Sequence, residues 1–467
     1  MARGASASEH ACAARSGGAQ PRRWMPPQDA VSADELETIH LASLRVLEEI
    51  GIEILDAEAR ACLAAAGAET ALGTPRVRLD RGLVLDAVGR APAAFTVHAR
   101  NPARSLRFGG DWLAFAVMGS APNCADLERG RRPGTRADFQ DLVKLGQTFD
   151  VLHLSGGYPV EPIDLHPRIR HLDATADFIR LTDKIFPVYS LGRERNRDGI
   201  EMARIARGVD AATLEREPSL MTVINSSSPL RLDAPMAQGI IEMARHNQVV
   251  VMTPFTLAGA MAPVTLAGAL ALQNAEALAG IALAQIVRPG APVMYGGFTS
   301  NVDMKSGAPA FGTPEYMKAT LIGGQLARRY AVPYRSSNTC AANAVDAQAA
   351  YESVFSLWAV VMGGASFVKH AAGWMEGGLT CSFEKLVLDV ELLEIVAGLL
   401  GNGDGLTPPH PRLGAATDGP DLIRRAHRIW TETLAAYEPP PLDPAIAEEL
   451  DAFIARRKEE GGVRTDY

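Results

Sequence analysis

The chain has 467 residues, of which 47% are apolar and 21% charged, a composition typical of soluble globular proteins that excludes fibrous and low-complexity classes. Lys and Arg total 46 against 54 for Asp and Glu, so the formal net charge is −8 and nucleic acid is not an expected partner. The five cysteines are far apart and lack C-x-x-C spacing, which argues against a disulfide framework and a thiolate zinc site and favours the cytoplasm.

The first 110 residues are predicted to form a disordered tail over 1–25 and a helical extension over 26–110. The tail has no apolar core of a secretory signal, although an organelle transit peptide is an alternative for its Arg- and Ser-containing sequence. Ser32 and Glu35 have the spacing of a helix capping box, and apolar residues then recur at helical spacing. Further helices are predicted over 57–66 and 81–89.

Short apolar runs alternate with helix-length segments from about residue 110 onward. The runs lie near residues 113, 151, 185, 220, 249, 292, 332 and 366, and a periodic segment follows each of them. Eight such units predict a (β/α)8 barrel over 111–400, followed by a C-terminal helical extension over 401–467. A doubly wound sheet is the alternative, but the sequence MGSAPN after the first run lacks the G-x-G-x-x-G of that fold.

One segment is long enough to be tested as a membrane span, since no charged residue occurs over 247–275. Pro254 and Pro263 interrupt this segment, and several Gly and Thr residues weaken it further. The pattern therefore predicts a buried strand, a loop and a buried helix, and no membrane span is expected.

The barrel prediction locates the active site at the C-terminal ends of the strands. The residues that follow the runs are the candidates: Ser120, Asn123, Tyr158, Glu161, Asn225, Ser226, Arg231, Phe255, Phe298, Asn301, Asp303, Arg335, Asn338, Lys369, His370, Trp374 and Glu376. Of the ten His residues, only His153 and His370 lie in runs, and neither has a ligand neighbour at fixed spacing. No catalytic metal is expected, and His153 is predicted to be a core residue.

Lys369, at the end of the eighth run, offers one possible chemistry. A desolvated lysine has a lowered pKa and can attack a carbonyl group to form a Schiff base. An ion pair with Asp389 or Glu376 is the structural alternative.

Aromatic residues at the strand ends offer another chemistry. They are Tyr158, Phe255, Tyr295, Phe298, Phe311, Tyr316 and Trp374. Aromatic faces bind a desolvated quaternary ammonium group through cation–π attraction, which predicts a cage for such a ligand. Packing at the barrel mouth is the alternative.

Several long strings of sequence carry a resemblance to a known family. They are GGYPVEP, NSSSPLRLD, VMYGGFTSNVDMKSGAPAFGTPEY and SFVKHAAGWMEGGLTCSFEKLVLDVELLE. Over about residues 26–461 the chain resembles the trimethylamine methyltransferase (MttB) superfamily. The resemblance implies a (β/α)8 methyltransferase that moves a methyl group from a quaternary or tertiary amine to Co(I) of a corrinoid (cobalamin), carried by a separate small protein that docks over the barrel mouth.

The same resemblance implies a narrower group. Members that use trimethylamine carry pyrrolysine, whereas this chain has only standard residues and resembles the pyrrolysine-lacking branch, some of whose members demethylate glycine betaine, proline betaine or carnitine. The position equivalent to pyrrolysine is predicted within 297–304. The long helical extensions and apolar barrel helices separately indicate a homo-oligomer, and the protein is expected to bind no metal of its own.

A betaine substrate defines the expected site residues. Its carboxylate needs donors, for which Arg335 and His370 are predicted, with Asn225 and Asn338 orienting the ligand. Asn225 and His370 are the expected catalytic residues, and the other expected substrate-binding residues are Tyr158, Phe255, Tyr295, Phe298, Arg335, Asn338 and Trp374. A Lys369 lyase and a non-catalytic betaine-binding barrel are the alternatives.

Overall fold

The computed structural model describes residues 20–71, 73–400 and 422–464. Its first elements, in chain order, are α1 (Ala33–Arg45), a π-helical turn (Val46–Ile50), β1 (Ile52–Ile54), α2 (Ala57–Ala65), β2 (Glu69–Thr70), β3 (Arg76–Arg78), α3 (Arg81–Val88), β4 (Phe95–Val97), a 3-10 turn (Pro102–Arg104) and β5 (Leu106–Phe108). The three helices agree with the prediction, and the capping box of Ser32 and Glu35 is present. The short strands between them were not predicted, because two or three residues carry no readable period.

The last residues of the predicted N-terminal tail are among those that the structure describes. Residues 1–19 lie outside the described residues, but residues 20–25 pack against the barrel. The buried Arg23 side chain donates to the Gly110 carbonyl oxygen at 2.8 Å and to the Ala365 carbonyl oxygen at 3.4 Å. The tail prediction is therefore wrong for residues 20–25, because these backbone contacts hold them in place.

The central elements follow in the predicted alternation. They are β6 (Ala114–Val117), β7 (Asn123–Asp126), β8 (Gly130–Pro133), α4 (Arg136–Thr148), β9 (Leu154–Ser155), α5 (Arg170–Leu181), α6 (Arg193–Arg207), α7 (Ala211–Arg216), β10 (Met221–Ile224), β11 (Arg231–Leu232), α8 (Ala234–Arg245), β12 (Val249–Met252), β13 (Phe255–Ala258), α9 (Leu266–Val287), β14 (Val293–Gly296), β15 (Phe298–Val302), β16 (Pro309–Ala310), α10 (Pro314–Arg329), β17 (Tyr334–Ser337), α11 (Ala347–Met362), β18 (Phe367–Ala372), β19 (Trp374–Met375), a 3-10 turn (Glu376–Gly378), β20 (Thr380–Ser382) and α12 (Phe383–Leu400). Beyond them lie α13 (Leu422–Ala435) and α14 (Pro444–Glu459).

Parallel strands form the barrel wall in the order β10-β12-β14-β17-β18-β6-β9. The third predicted run completes the wall between β9 and β10, since Leu154 pairs with Ile185 and Pro187 pairs with Met221. This run makes only isolated bridges, and Pro187 has no N–H to extend a ladder. The (β/α)8 prediction is confirmed.

The two ends of the barrel differ. Side chains that fill the interior include Ala116, Met221, Val251 and Met294, and the hairpin of β4 and β5 packs into the same cluster. At the other end, the small sheets β13-β15-β16 and β19-β20-β7-β8 continue past the barrel strands and form a rim. The rim surrounds the C-terminal strand ends, where active sites of such barrels lie.

Helix α9 is long and apolar enough to cross a membrane by length and composition. In the structure 83% of its apolar window is buried inside the protein, with α1 and α3 packed on it. The uncharged segment 247–275 contains β12, β13 and the start of α9, as the strand, loop and helix prediction requires.

Candidate active site

The end of β18 departs from regular strand geometry. Its pairing with β6 shifts in register between Val368 and Ala372, and His370 has a φ of 59°. Successive side chains of a regular strand point to opposite faces, and a bulge changes this alternation. A positive φ strains the backbone of a non-glycine residue, and residues with such strain are concentrated at functional sites.

The imidazole of His370 is fixed by a backbone donor. The Gly119 N–H donates to His370 Nδ1 at 3.1 Å, so the ring proton resides on Nε2. A Cβ at Gly119 would lie 2.7 Å from Gly157 Cα, so this approach of two strand ends requires glycine. Burial, with the nearby cations Lys369 and Arg335, holds the His370 pKa well below its usual value. The ring is therefore a neutral Nε2–H donor at pH 7.

Arg335 on β17 is a buried cation without an anion. Its relative exposure is 1%, and its guanidinium makes no hydrogen bond or ion pair with any described residue. Its guanidinium carbon lies 5.6 Å from the centre of the Phe298 ring, and burial lowers its pKa to about 10. Removing an unpaired charge from water is costly, so an anionic ligand is the expected partner.

Lys369 on β18 is the second basic residue at these strand ends. It is 6% exposed, and it lies opposite Ser337 in the backbone register of β17 and β18. Neither predicted carboxylate partner is available, because Asp389 binds Lys385 and Glu376 binds Arg131 at 2.9 Å. Burial first, and then the charge of Arg335, hold the Lys369 pKa well below its usual value.

Phe298, the first residue of β15, is the centre of an aromatic cluster. Its ring centre lies 5.4 Å from Phe255, 5.0 Å from Phe311 and 5.7 Å from Trp374. The Trp374 ring in turn lies 4.4 Å from the His370 ring in an edge-on arrangement. Aromatic rings therefore adjoin the unpaired cations, a combination suited to a ligand with both a positive and a negative end.

Unpartnered polar atoms concentrate at the same strand ends. Nine buried side-chain N and O atoms in the described residues lack a hydrogen-bond partner, and five of them belong to β17, to the residue directly after it, or to Trp374, two residues beyond β18. These five are Arg335 Nε, Arg335 Nη1, Ser337 Oγ, Asn338 Oδ1 and Trp374 Nε1. Buried polar groups are normally paired, so this concentration indicates a ligand-binding site.

The other predicted site residues are distributed unevenly. Asn338 lies at the site, where its Nδ2 donates to the Ala371 carbonyl oxygen at 3.0 Å. Asn225 is exposed and donates to the Thr253 carbonyl oxygen at 2.8 Å. His153 accepts the Phe115 N–H within the core, as predicted.

Two predicted cage residues face away from the cluster. The Tyr295 hydroxyl donates to Asn274 Oδ1 on α9 at 3.0 Å, which places this ring between the barrel wall and the helices. The Tyr158 ring centre lies 4.1 Å from that of Tyr189, with the two rings tilted by 36°, and Tyr158 packs edge-on to Phe139 of α4. Tyr295 lies within β14 and Tyr158 follows β9, but both side chains point to the helix side of the wall.

Two residues that hold these strand ends were absent from the expected site. Tyr189 bonds to Ser120 Oγ at 2.8 Å and receives the Tyr158 N–H. It follows the third apolar run, so the strand-end rule itself was a signal for it. Gly119 acts through its backbone, for which the sequence carries no signal.

No group of three or more His, Cys, Asp or Glu residues with metal-binding geometry occurs within 20–71, 73–400 and 422–464. The site described above consists instead of aromatic rings, amides and unpaired cationic side chains.

Comparison with known proteins shows similarity to one family along nearly the whole chain. The profile of the trimethylamine methyltransferase (MTTB) family matches residues 1–407 and 415–462. A glycine betaine methyltransferase of Desulfitobacterium hafniense (strain Y51) is 36% identical over 476 residues, covering 94% of this chain and 99% of the relative. A trimethylamine methyltransferase MttB of Methanosarcina barkeri (strain Fusaro / DSM 804) is 29% identical, covering 91% and 94%.

Among solved structures, the monomethylamine methyltransferase MtmB of Methanosarcina barkeri has a similar fold. The TM-score is 0.55 at 10% sequence identity, and the match covers 94% of this chain and 90% of that one. At this identity the likeness concerns the barrel fold alone.

Proposed function

The chain belongs to the trimethylamine methyltransferase (MTTB) family and is a methyltransferase, and we propose that it moves a methyl group from a quaternary amine of the glycine betaine type to Co(I) of a corrinoid on a separate protein. The relative named a glycine betaine methyltransferase supports the choice of donor. The observation that carries the proposal is the buried, unpaired Arg335 beside the aromatic cluster.

A betaine matches both halves of the site. Its carboxylate would form a charge-assisted, bidentate pair with the Arg335 guanidinium and would accept a hydrogen bond from Nε2–H of His370. Its trimethylammonium group would lie against Phe298 and Trp374, where desolvated cation–π contacts are worth about 2 kcal/mol or more. Asn338 has a free Oδ1 at the same place to orient the ligand.

The reaction needs little acid–base catalysis from the protein. Co(I) is the nucleophile; the N–CH3 bond breaks as the Co–CH3 bond forms, and its electron pair stays on nitrogen. A quaternary ammonium therefore leaves as a neutral tertiary amine, without a proton. What the side chains supply is position and exclusion of water: Arg335 fixes the carboxylate end, and the Phe298 cluster holds the ammonium end. The rim surrounds the open mouth of the barrel, and the acceptor protein approaches the site from this mouth.

A binding panel tests the donor class. Calorimetry with glycine betaine, choline and trimethylamine separates the two ends of the ligand, because choline lacks the carboxylate and trimethylamine also lacks the permanent charge. We expect betaine to bind at least tenfold more tightly than either. Equal affinity for choline and betaine would contradict a role for Arg335 in substrate choice.

The donor role of His370 predicts a selective change in KM. His370→Asn is the informative variant, because Asn tolerates the left-handed backbone that His370 adopts and so separates loss of the ring from backbone strain. A hydrogen bond to a charged group contributes about 1.5–3 kcal/mol, so KM for betaine should rise at least about tenfold. Steady-state kinetics together with circular dichroism check this, and an unchanged KM in a folded variant would contradict it.

Lys369 predicts a pH dependence of betaine affinity. The positive charge of Lys369 is present below its pKa and is lost as the pH rises through it, and burial places that pKa well below the usual value. KM for betaine should therefore rise as the pH increases through the lowered pKa of Lys369, and Lys369→Met should flatten this dependence. The measurement is KM from pH 6 to 10 in both proteins; identical profiles would show that Lys369 does not sense the substrate.

A Schiff-base lyase is the second candidate function, and the unpaired Lys369 with its lowered pKa favours it. Borohydride trapping with carbonyl compounds tests it, since reduction of an imine adds a covalent mass to Lys369. The methyltransferase proposal expects no such adduct.

A further inference from the structure

Helix α11 carries an uncovered apolar stripe on the outside of the barrel. Its members are Tyr351, Val354, Phe355 and Trp358, which are 51%, 45%, 50% and 42% exposed. Their spacing of i, i+3, i+4 and i+7 places them on one face of the helix. We call these four residues the α11 stripe.

The opposite face of α11 already has its partners. Ser353, Leu357 and Val360 are buried, and Lys385 of α12 donates to Ser353 Oγ at 2.7 Å. The α11 stripe is therefore additional to the face with which the helix packs on the barrel.

Helix α9 has a similarly apolar sequence, and its outer side is covered by other helices. Each of the two helices has a single charged residue, Glu276 in α9 and Glu352 in α11, and both side chains are buried. The outer side of α9 is covered by α1 and α3, whereas no described element covers the α11 stripe. Scattered apolar residues on a surface are ordinary, but a contiguous aromatic patch marks an interaction site.

The remaining segments of the chain are poor candidates for a cover. Residues 1–19 include no large apolar residue except Met1, and residues 401–421 include only Leu406 and Leu413. The other residues outside the described ranges are Leu72 and 465–467, with Tyr467 as the one aromatic residue among them. None of these segments has the apolar side chains to bury three aromatic rings. The cover must then come from another molecule.

We propose that the α11 stripe is the centre of an interface between two copies of this chain, with the two α11 helices packed antiparallel across a two-fold axis. A two-fold interface brings a surface against itself, which requires a patch free of repelling like charges. The exposed side of α11 meets this requirement, since its two charged neighbours in sequence are the buried Glu352 and the N-cap Asp346 at its end.

The available area is also in the right range. Aromatic side chains bury about 150–250 Å² each when fully covered, so three that are half exposed offer roughly 300 Å². A standard interface buries about 800 Å² per partner, and its apolar centre is only part of that area. The aromatic area of the stripe is large enough to form such a centre. The corrinoid protein is a less suitable occupant, because the stripe lies on the side wall and the chemistry takes place at the mouth.

Oligomeric mass tests the proposal without reference to activity. Wild-type protein should have a mass of at least twice the 49.7 kDa chain by light scattering, and the double variant Phe355→Glu/Trp358→Glu should halve it while keeping its circular dichroism spectrum. Leu41→Glu on α1 is the matched control, because Leu41 is 42% exposed and lies outside the stripe. A monomeric wild type, or a double variant of unchanged mass, would overturn the proposal.

Cross-linking tests the two-fold arrangement. The midpoint of the stripe falls between Val354 and Phe355, so equivalent residues of the two copies meet there. In a background with Cys12 and Cys62 changed to Ser, Val354→Cys should form a disulfide between chains under mild oxidation and Leu41→Cys should not. A dimer in which Val354→Cys forms no cross-link would rule out this pairing of the helices.

Discussion

Arg335→Met is expected to lower kcat/KM for glycine betaine by about 100-fold or more while raising the thermal stability of the protein. The guanidinium is buried without an anion and without a hydrogen-bond partner among the described residues, so in the free enzyme its burial costs folding free energy. When the carboxylate of the substrate arrives, the same charge gains a partner. Truncating one member of a buried charged pair costs about 2–5 kcal/mol of binding, which gives the expected factor.

The expected fall in kcat/KM together with a rise in thermal stability distinguishes a substrate-binding role from a structural one. A residue that only supported the fold would lower stability and activity together when removed. Arg335→Lys is the matched control: it keeps the charge but not the planar donor pair, and should recover part of the affinity. Calorimetric Tm values and steady-state kinetics measure both quantities, and a variant with reduced Tm and unchanged KM would contradict the assignment.

Trp374→Leu is expected to reduce the affinity for glycine betaine by about 30-fold, because a desolvated cation–π contact is worth about 2 kcal/mol. The Trp374 ring lies 5.7 Å from Phe298 and 4.4 Å from His370, so it forms one wall of the aromatic cluster. Its Nε1 has no partner in the structure, which means that little hydrogen bonding is lost with it. Trp374→Phe keeps an aromatic face and should retain most of the affinity.

The uncharged isostere of the substrate isolates the electrostatic part of this effect. In 3,3-dimethylbutanoate a carbon replaces the nitrogen, so shape and carboxylate are kept and the positive charge is removed. Wild-type protein should prefer betaine to the isostere, and Trp374→Leu should lose most of that preference. Equal losses of affinity for both ligands would mean that Trp374 contributes packing alone.

The fold was largely predictable, and the reason is periodicity. The eight buried runs form the strands of the barrel wall. The periodic segments that follow them form the helices α4, α5, α6, α8, α9, α10, α11 and α12. Where elements were two or three residues long, as in β1 to β5, no period existed to be read. Family and enzyme class, predicted from the longer strings, are confirmed by the family profile and the relatives.

The candidate site was predictable only to the level of strand ends. That rule located Arg335, Asn338, His370, Phe298 and Trp374 at one mouth, and the structure brings them together. It could not say which way a side chain points, so Tyr295 and Tyr158 were included although they face the helices. The bulge in β18 and the Gly119 donor to His370 depend on tertiary contacts that no local pattern encodes.

The most direct test of the central claim is an anaerobic spectrum of reduced cob(I)alamin mixed with the enzyme and glycine betaine. Transfer of one methyl group should convert the Co(I) spectrum to that of methyl–Co(III), and mass spectrometry should find an equal amount of dimethylglycine. The Arg335→Met protein serves as the matched control and should be nearly silent under the same conditions. A Co(I) spectrum unchanged with betaine, both with free cobalamin and with candidate corrinoid proteins, would contradict the proposed methyl transfer.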